Sequence, residues 1–576
     1  MALATSGVAL VAIAAAGWAF SRSGPDGVST APVEFTYNPG ASSQDRTDIN
    51  ISRDGRFIVQ GVTDSTGNRR VVLRDLASAT LRPIAGTEGG YDPVVSPDGR
   101  WLLFAIDATT RKLPIDGGPS TLVADSTDGS PWWGESGTLL VSRLRRGLWR
   151  YPVDGSPPQV LTTLDTARNE FAHWRPQELP GGKAAVFNSY SIPLSESWIE
   201  AVDYETGTRT VLVKGAIHPR FVSTGHLLYV REGTVFAVPF DPKALKVLGA
   251  ERPVLEDVAW QFTNGVGGYD VSQNGTLVYL KASEFFVPRR VAWVDRPGNE
   301  TPIFDERAGW SEPRLSPDQR WLALSKEAGQ QVWLYDFSRR VLTQFSRSKA
   351  LTFDAAWMPD SRELIVTSET PVYDLFRAGI DGSAWRPFQV SRFDKMVSDV
   401  SPDGRTVAYV EAASLDRVLL APIDGGEPVP LDDRPASQRA AAFAPDGRWI
   451  AYAEVGEGRR PEVFVKRVDG VPGRRQVSSD GGDQPLWTKG GREIVYRRGN
   501  GVYAVSFDPT SGEAGTPALL FSKLDVGRSG VQRTHGYDVT PDGSRFVMVL
   551  EEGRPNRLPA VVVLNWLQRL GEQVGR

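Results

Sequence analysis

Apolar and polar positions alternate in short runs along this chain, and the stretch Val94–Ala105, VVSPDGRWLLFA, shows the pattern most plainly. A short apolar strand enters a Pro-Asp-Gly turn. A second strand leaves it with Trp101, Leu103 and Ala105 on one face, the period-two signature of a strand. Pro97 pre-sets its own φ, Asp98 bonds the neighbouring backbone, and Gly99 accepts the positive φ that a tight turn demands. The sequence therefore predicts a β-hairpin here.

The hairpin recurs. Variants stand at Ser52–Gly55, Ser272–Gly275, Ser316–Gln319, Met358–Ser361, Ser401–Gly404, Ala444–Gly447 and Thr540–Gly543, with weaker copies at Gly134–Gly137, Pro180–Gly182, Ser223–Gly225 and Lys489–Gly491. The last turn residues fall at 55, 99, 137, 182, 225, 275, 319, 361, 404, 447, 491 and 543. A single Ser-Pro-Asp-Gly is an ordinary turn. A dozen in register, about 44 residues apart with about four short strands per unit, is the spacing of β-propeller blades. Outer strands add a second turn signal, as in Leu113-Pro-Ile-Asp-Gly-Gly118 and Ala421-Pro-Ile-Asp-Gly-Gly426.

A longer period lies over the first. Gly268-Tyr-Asp-Val-Ser272 matches Gly536-Tyr-Asp-Val-Thr540, and each follows a strand of similar text, VFAVPFD at 235–241 and VYAVSFD at 502–508. The twelve units thus divide six and six. The expected fold class is all-β: two tandem six-bladed β-propellers after an N-terminal transmembrane helix. The expected domains are an anchor over 1–20, a linker over 21–31, a first propeller over 32–288, a second over 289–567 and a polar tail over 568–576. A closed ring needs a strand that bridges its first and last blades, because an open edge exposes unpaired backbone. Val33–Tyr37 is assigned that role in the first ring. Val291–Val294 either closes the second ring or finishes the first, and Ala560–Trp566 supplies a last apolar strand.

Residues 1–20 (MALATSGVALVAIAAAGWAF) carry no charge. Twenty helical residues span about 30 Å, the hydrocarbon thickness of a bilayer. A cleavable signal peptide is the rival, but it requires a basic flank before the apolar core, and Arg22 is the first charge. An uncleaved, single-pass inner-membrane anchor with extracytoplasmic propellers is therefore expected, and its lack of a basic flank suggests that more chain belongs upstream.

Composition narrows the function. A formal net charge of −4 argues against a nucleic-acid binder, which needs a basic footprint. There is no cysteine, hence no disulfide, thiolate metal site or cysteine nucleophile. Seventeen Trp and 24 Phe supply the large apolar areas that packed sheets bury.

The repeat text resembles the TolB-like, WD-repeat-like β-propeller family over roughly residues 33–566. A closer likeness is to the extracytoplasmic half of bacterial transmembrane serine/threonine kinases. It is carried by Ile51-Ser-Arg-Asp-Gly-Arg56, Lys112-Leu-Pro-Ile-Asp-Gly-Gly-Pro119, Gly147-Leu-Trp-Arg-Tyr-Pro-Val-Asp-Gly155 and Val291-Ala-Trp-Val-Asp-Arg-Pro-Gly298. That resemblance implies a sensor attached to, or split from, a signalling kinase. The chain departs from it in having no Gly-rich phosphate loop, no His-Arg-Asp and no Asp-Phe-Gly.

Motifs of catalysis are missing. No Gly-x-Ser-x-Gly elbow, phosphate loop or zinc-binding helix occurs. The four histidines, His173, His218, His226 and His535, form no close ligand pair in sequence. No catalytic residue, metal or cofactor is expected. The best candidate site lies where the innermost strand of each blade begins, at the channel mouth. Seven residues before a turn stand Asp48, Asp92, His218, Glu312 and Asp354, and near that offset come His173, Tyr269, Gln484 and Tyr537. Polar side chains there suit a small ligand or a protein; the competing role is a hydrogen bond to the neighbouring blade's backbone. The expected function is a membrane-anchored, non-catalytic binding or sensor module. A periplasmic TolB-like scaffold is the alternative, and a propeller hydrolase or lyase a weaker one.

Overall fold

The computed structural model describes residues 31–574 apart from 40–47, 64–68, 107, 128, 144–145, 153–155, 169, 192–195, 262–264, 286–287, 327–330, 347–349, 371, 392, 413–415, 456–460, 524–533 and 552–558. The expected anchor and nearly all of the linker lie outside the described residues. Among the described residues no helix is long and apolar enough to cross a membrane.

Among the described residues eleven four-stranded antiparallel sheets and one five-stranded sheet contain nearly all of the strands, with one small two-stranded pair besides. In chain order their first strands are Ile49–Ile51, Tyr91–Val95, Trp132–Trp133, Glu170–Glu178, Ile217–Val222, Tyr269–Val271, Trp310–Leu315, Thr352–Trp357, Asp394–Val400, Ser437–Phe443, Asp483–Thr488 and Tyr537–Val539. We number the sheets one to twelve accordingly. In most of them the four strands follow one another as a meander, as in sheet two (Tyr91–Val95, Trp101–Ile106, Thr109–Pro114, Thr121–Ala124).

The hairpin motif accounts for these meanders. In sheet two Gly99 N–H donates to Ser96 O at 2.9 Å, and Gly99 takes φ +72°. Ser96 Oγ donates to Asp98 Oδ1 at 2.5 Å and accepts Trp101 N–H at 2.9 Å, while Asp98 Oδ1 also accepts Arg100 N–H at 3.1 Å. Ser52–Asp54, Ser316–Asp318, Ser401–Asp403 and Thr540–Asp542 repeat the hydroxyl–carboxylate bond. The serine and aspartate of the motif are thus spent on the turn itself. Gln319 and Ser361 hold the same positive-φ position without glycine.

Second strands are apolar because both faces are covered. Leu102, Leu103, Phe104 and Ala105 are all fully buried, with Leu102 and Phe104 packed among Val59, Val71 and Leu73 of sheet one. Each large side chain buried this way contributes about 1.5–3 kcal/mol. Fourth strands such as Thr80–Pro83 are largely exposed.

Each sheet packs on the next from one to six and again from seven to twelve, and each run returns on itself: sheet six packs on sheet one, and sheet twelve on sheet seven. Sheet twelve combines Tyr537–Val539 and Arg545–Glu551 with Arg289–Asp295 and Glu300–Pro302. The strand around Val291–Val294 therefore belongs with the second half, and of its two expected roles it takes the closing one.

Sheet six corrects the expected boundary at 289–567. Its order is Tyr269–Val271, Leu277–Leu280, Ala560–Leu564, Val33–Tyr37. Val562 lies opposite Val278 on one side and Phe35 on the other. The last strand of the chain thus sits in the first half, between two of its segments, and sheets seven to twelve are inserted within sheet six. The physical reason is burial: Ala560, Val561, Val562 and Val563 are all buried there, Val562 among Ile49, Ile58 and Val278, and Val561 beside Tyr279. Nor is 568–576 a simple polar tail. Trp566–Val574 is a helix whose Trp566 and Leu570 are buried against Val254, Val258 and Leu277, and Trp566 N–H donates to Gly275 O at 2.8 Å.

Candidate functional site

The register position flagged in the sequence, seven residues ahead of each turn, is a β-bulge. Asp92, Ser130, Arg175, His218, Glu312, Asp354, Ala440 and Gln484 all stand there with φ between +45° and +56°. The ladder register shifts across this point in sheets two, four, five, seven, eight, ten and eleven. Six of these residues precede proline (Pro93, Pro131, Pro176, Pro219, Pro313, Pro485), which is tolerated because a bulge leaves one N–H without a ladder partner. A left-handed backbone at a non-glycine residue costs roughly 1–2 kcal/mol, so something must hold it.

What holds it is the neighbouring sheet. Asp48 Oδ2 accepts Asp92 N–H at 2.7 Å, and Asp92 Oδ2 accepts Ser130 N–H at 2.9 Å. His218 Nδ1 accepts Gly267 N–H at 2.9 Å, Glu312 Oε2 accepts Asp354 N–H at 3.2 Å, and Gln484 Oε1 accepts Gly536 N–H at 3.0 Å. The expected tyrosines complete the pattern: Tyr269 donates its hydroxyl to His218 O at 2.8 Å, and Tyr537 to Gln484 O at 3.0 Å. All these residues are buried except Glu312, which is half-buried. Six of the nine expected residues (Asp48, Asp92, His218, Glu312, Asp354 and Gln484) stand at the same offset and Tyr269 and Tyr537 one residue further on, and each has a structural bond there. His173 is the exception. It lies in a separate buried cluster, with Nδ1 2.7 Å from Thr162 Oγ1 and Nε2 3.1 Å from Glu170 Oε2. Burial opposes the Glu170 charge, but hydrogen bonds from His173 and Arg209 override it and hold the carboxyl well below its ordinary range.

A second layer, two residues further along each first strand, escaped the sequence reading. Asp270 Oδ2 accepts Ile51 N–H at 3.0 Å, Asp399 Oδ2 accepts Phe443 N–H at 2.8 Å, and Asp538 Oδ2 accepts Leu315 N–H at 2.6 Å. Gln177 exchanges two bonds with the Phe221 backbone, and Asn50 Nδ2 donates to Pro93 O. Their signal was present as a polar residue five before these five turns.

Other bonds join sheets that are not neighbours. Arg175 of sheet four reaches Asp92 of sheet two, Nη2 to Oδ1, at 2.9 Å. Arg314 of sheet seven reaches Asp399 of sheet nine at 3.3 Å, and its Nη1 lies 3.0 Å from His535 Nδ1. Thr534 Oγ1 donates to Asp354 Oδ1 at 2.6 Å. First strands therefore face one another around a common axis, and these side chains cross it.

Burial sets the protonation of the group. It pushes the Asp399 and Asp538 carboxyls above their ordinary range against the pull of Arg314, and it raises Asp354 strongly, with Glu312 adding to the effect. It lowers His218 and His535, reinforced by nearby guanidiniums, so both imidazoles are neutral. His535 spends Nε2 on Pro485 O at 3.0 Å and Nδ1 on Arg314, which leaves it no lone pair for base catalysis. Among the described residues no three His, Asp or Glu side chains converge as metal ligands would.

Sheets stacked face to face with their first strands converging on an axis make this a β-propeller protein. No family model matches the chain, and no curated protein does. Among solved structures it is similar to a putative TolB from Agrobacterium tumefaciens, at 17% identity over 46% of this chain and 99% of that one, TM-score 0.40. It is also similar to TolB from Acinetobacter baumannii (15% identity, 51% and 81%, TM-score 0.33) and to the tricorn protease (11% identity, 87% and 59%, TM-score 0.30). These are likenesses of fold.

Proposed function

We propose that the chain is a non-catalytic binding module of two six-bladed β-propellers, the second inserted in the closing blade of the first. Residues 1–20 anchor it to the bacterial inner membrane with both rings outside the cytoplasm, and it serves as the sensing part of a kinase-linked signalling system. One observation carries the non-catalytic reading. The polar residues facing each axis are tied to the next blade's backbone or to one another, which makes a rigid frame and leaves no poised nucleophile–base pair among them. Such a frame presents loops and channel mouths for recognition.

The test has two arms. With residues 1–20 present, protein made in a bacterial host should sediment with membranes and resist carbonate extraction, and a C-terminal alkaline phosphatase fusion should be active; without them it should be recovered free. Purified protein should leave peptide, ester and glycoside substrates unturned. Turnover that survives purification and disappears on substituting an axial residue would establish the hydrolase alternative instead.

A further inference from the structure

The axis of the first propeller holds a group of unsatisfied donors. Three buried donor atoms on three successive blades have no hydrogen-bond acceptor: Trp132 Nε1, Arg175 Nε and His218 Nε2. His218 Nδ1 accepts Gly267 N–H, so the neutral ring carries its proton on Nε2 and presents a donor. In the second propeller His535 Nε2 meets Pro485 O at 3.0 Å, and the first-strand tryptophans Trp357 and Trp487 donate to Arg314 O and Ala442 O at 2.9 and 3.0 Å. A buried donor without an acceptor costs about 1–3 kcal/mol. Three together mark a place where an acceptor belongs.

These donors share one neighbourhood. The charged groups acting on His218 are the Arg220 and Arg175 guanidiniums, and the Arg220 guanidinium lies 5.2 Å from the centre of the Trp132 ring. Asp92 pairs with Arg175 and Asp270 with Arg220, each at 2.9 Å. Two matched ion pairs leave no net positive charge to balance a multiply charged anion, and three N–H groups favour a ligand rich in oxygen.

Resting on the propeller reading above, we propose that the axis of the first propeller, beside His218, is a binding site for a small carboxylate. Its oxygens accept hydrogen bonds from His218 Nε2, Arg175 Nε and Trp132 Nε1.

The probes are sodium acetate and inorganic phosphate, added to the full chain at constant ionic strength set with sodium chloride, with melting temperature and titration calorimetry as readouts. Acetate should stabilise the protein saturably, and phosphate at pH 7.5 should bind at least about tenfold more weakly. Trp132→Phe keeps the ring under Arg220 and removes one donor. His218→Gln keeps an acceptor for Gly267 N–H, as Gln484 does for Gly536. Each should weaken acetate about tenfold, while Trp132→Phe without acetate melts within about 2 °C of the parent. Acetate no better than chloride, or variants that respond as the parent does, would mean that water fills the site and would overturn the proposal. Tighter binding of phosphate would overturn the single-charge assignment. A protein inert to acetate that also turns over no substrate loses this inference alone, whereas substrate turnover removes the proposed function and leaves the acetate result standing.

Discussion

Asp92 and Arg175 occupy the same register position in sheets two and four, which are not neighbours, and their side chains meet at 2.9 Å across the axis. Both are almost fully buried. Their value lies in being matched, since a buried pair gains little over apolar packing but its single survivor is costly. Arg175→Met should therefore destabilise by about 3–5 kcal/mol by leaving Asp92 charged and unpaired. The double variant Asp92→Asn, Arg175→Met should cost clearly less than the sum of the single changes. Urea unfolding of the four proteins in one thermodynamic cycle measures this, and additive losses would contradict it.

The insertion of sheets seven to twelve within sheet six makes a second prediction, on the proposal of two propellers. Val562 is fully buried between Val278 and Phe35 in the first propeller, although it lies more than 280 residues from the former and more than 520 from the latter. Val562→Asp places a carboxylate in that apolar strand and should lower the stability of the first propeller by about 3 kcal/mol or more. The second propeller, closed by Arg289–Asp295 on Arg545–Glu551, should keep its own transition. Calorimetry should resolve two transitions with only one displaced. A shift of both by the same amount would show that the rings unfold as one unit.

His218 and Gln484 do the same work in the two rings, each accepting a glycine N–H from the next blade. That equivalence predicts an ordering. His218→Leu leaves the Gly267 N–H buried without an acceptor and should cost about 1–3 kcal/mol, whereas His218→Gln should cost less than about 1 kcal/mol. Hydrogen exchange at Gly267 provides a local reading: fast in the leucine variant, slow in the glutamine one.

Much of this was legible in the chain because the repeat is local chemistry. Ser96, Asp98 and Gly99 make a turn through bonds that span at most five residues, so the motif announces itself wherever it occurs. The offset of seven was meaningful for the same reason: it marks a bulge of fixed length from the turn. Its role was harder to read. Asp48, Asp92 and Glu312 look alike whether they face a ligand or the next blade's N–H, because only the approach of the neighbouring sheet decides which. Arg175 and Ser130 share the offset and were passed over, although the proline after each was a usable sign. The return of Ala560–Leu564 to the first propeller has no local signature at all, since an apolar strand carries no label for its partner.

Asp354 and Glu312 make the last prediction. Burial and the neighbouring carboxylate raise the Asp354 pKa well above the ordinary carboxyl value, and Asp399 and Asp538 on the same axis are also raised by burial. The unfolded chain gives up these protons near pH 3.8, while the native state keeps them to higher pH. Across that interval the native state binds more protons than the unfolded one, so stability must fall as pH rises, by up to about 1.4 kcal/mol per pH unit for each proton retained. His218 and His535 act in the opposite sense. Their burial in neutral form costs stability as pH drops through the unfolded value of 6.5, where the unfolded chain gains the proton and the native state does not. Asp354→Asn keeps an acceptor for the Thr534 hydroxyl and a donor toward Glu312 without a titrating group. It should unfold like the parent at pH 5 and at higher urea than the parent at pH 8, with a shallower decline between. Parallel curves for the two proteins would show that Asp354 is ionised in the native state and that the axis tolerates two adjacent charges.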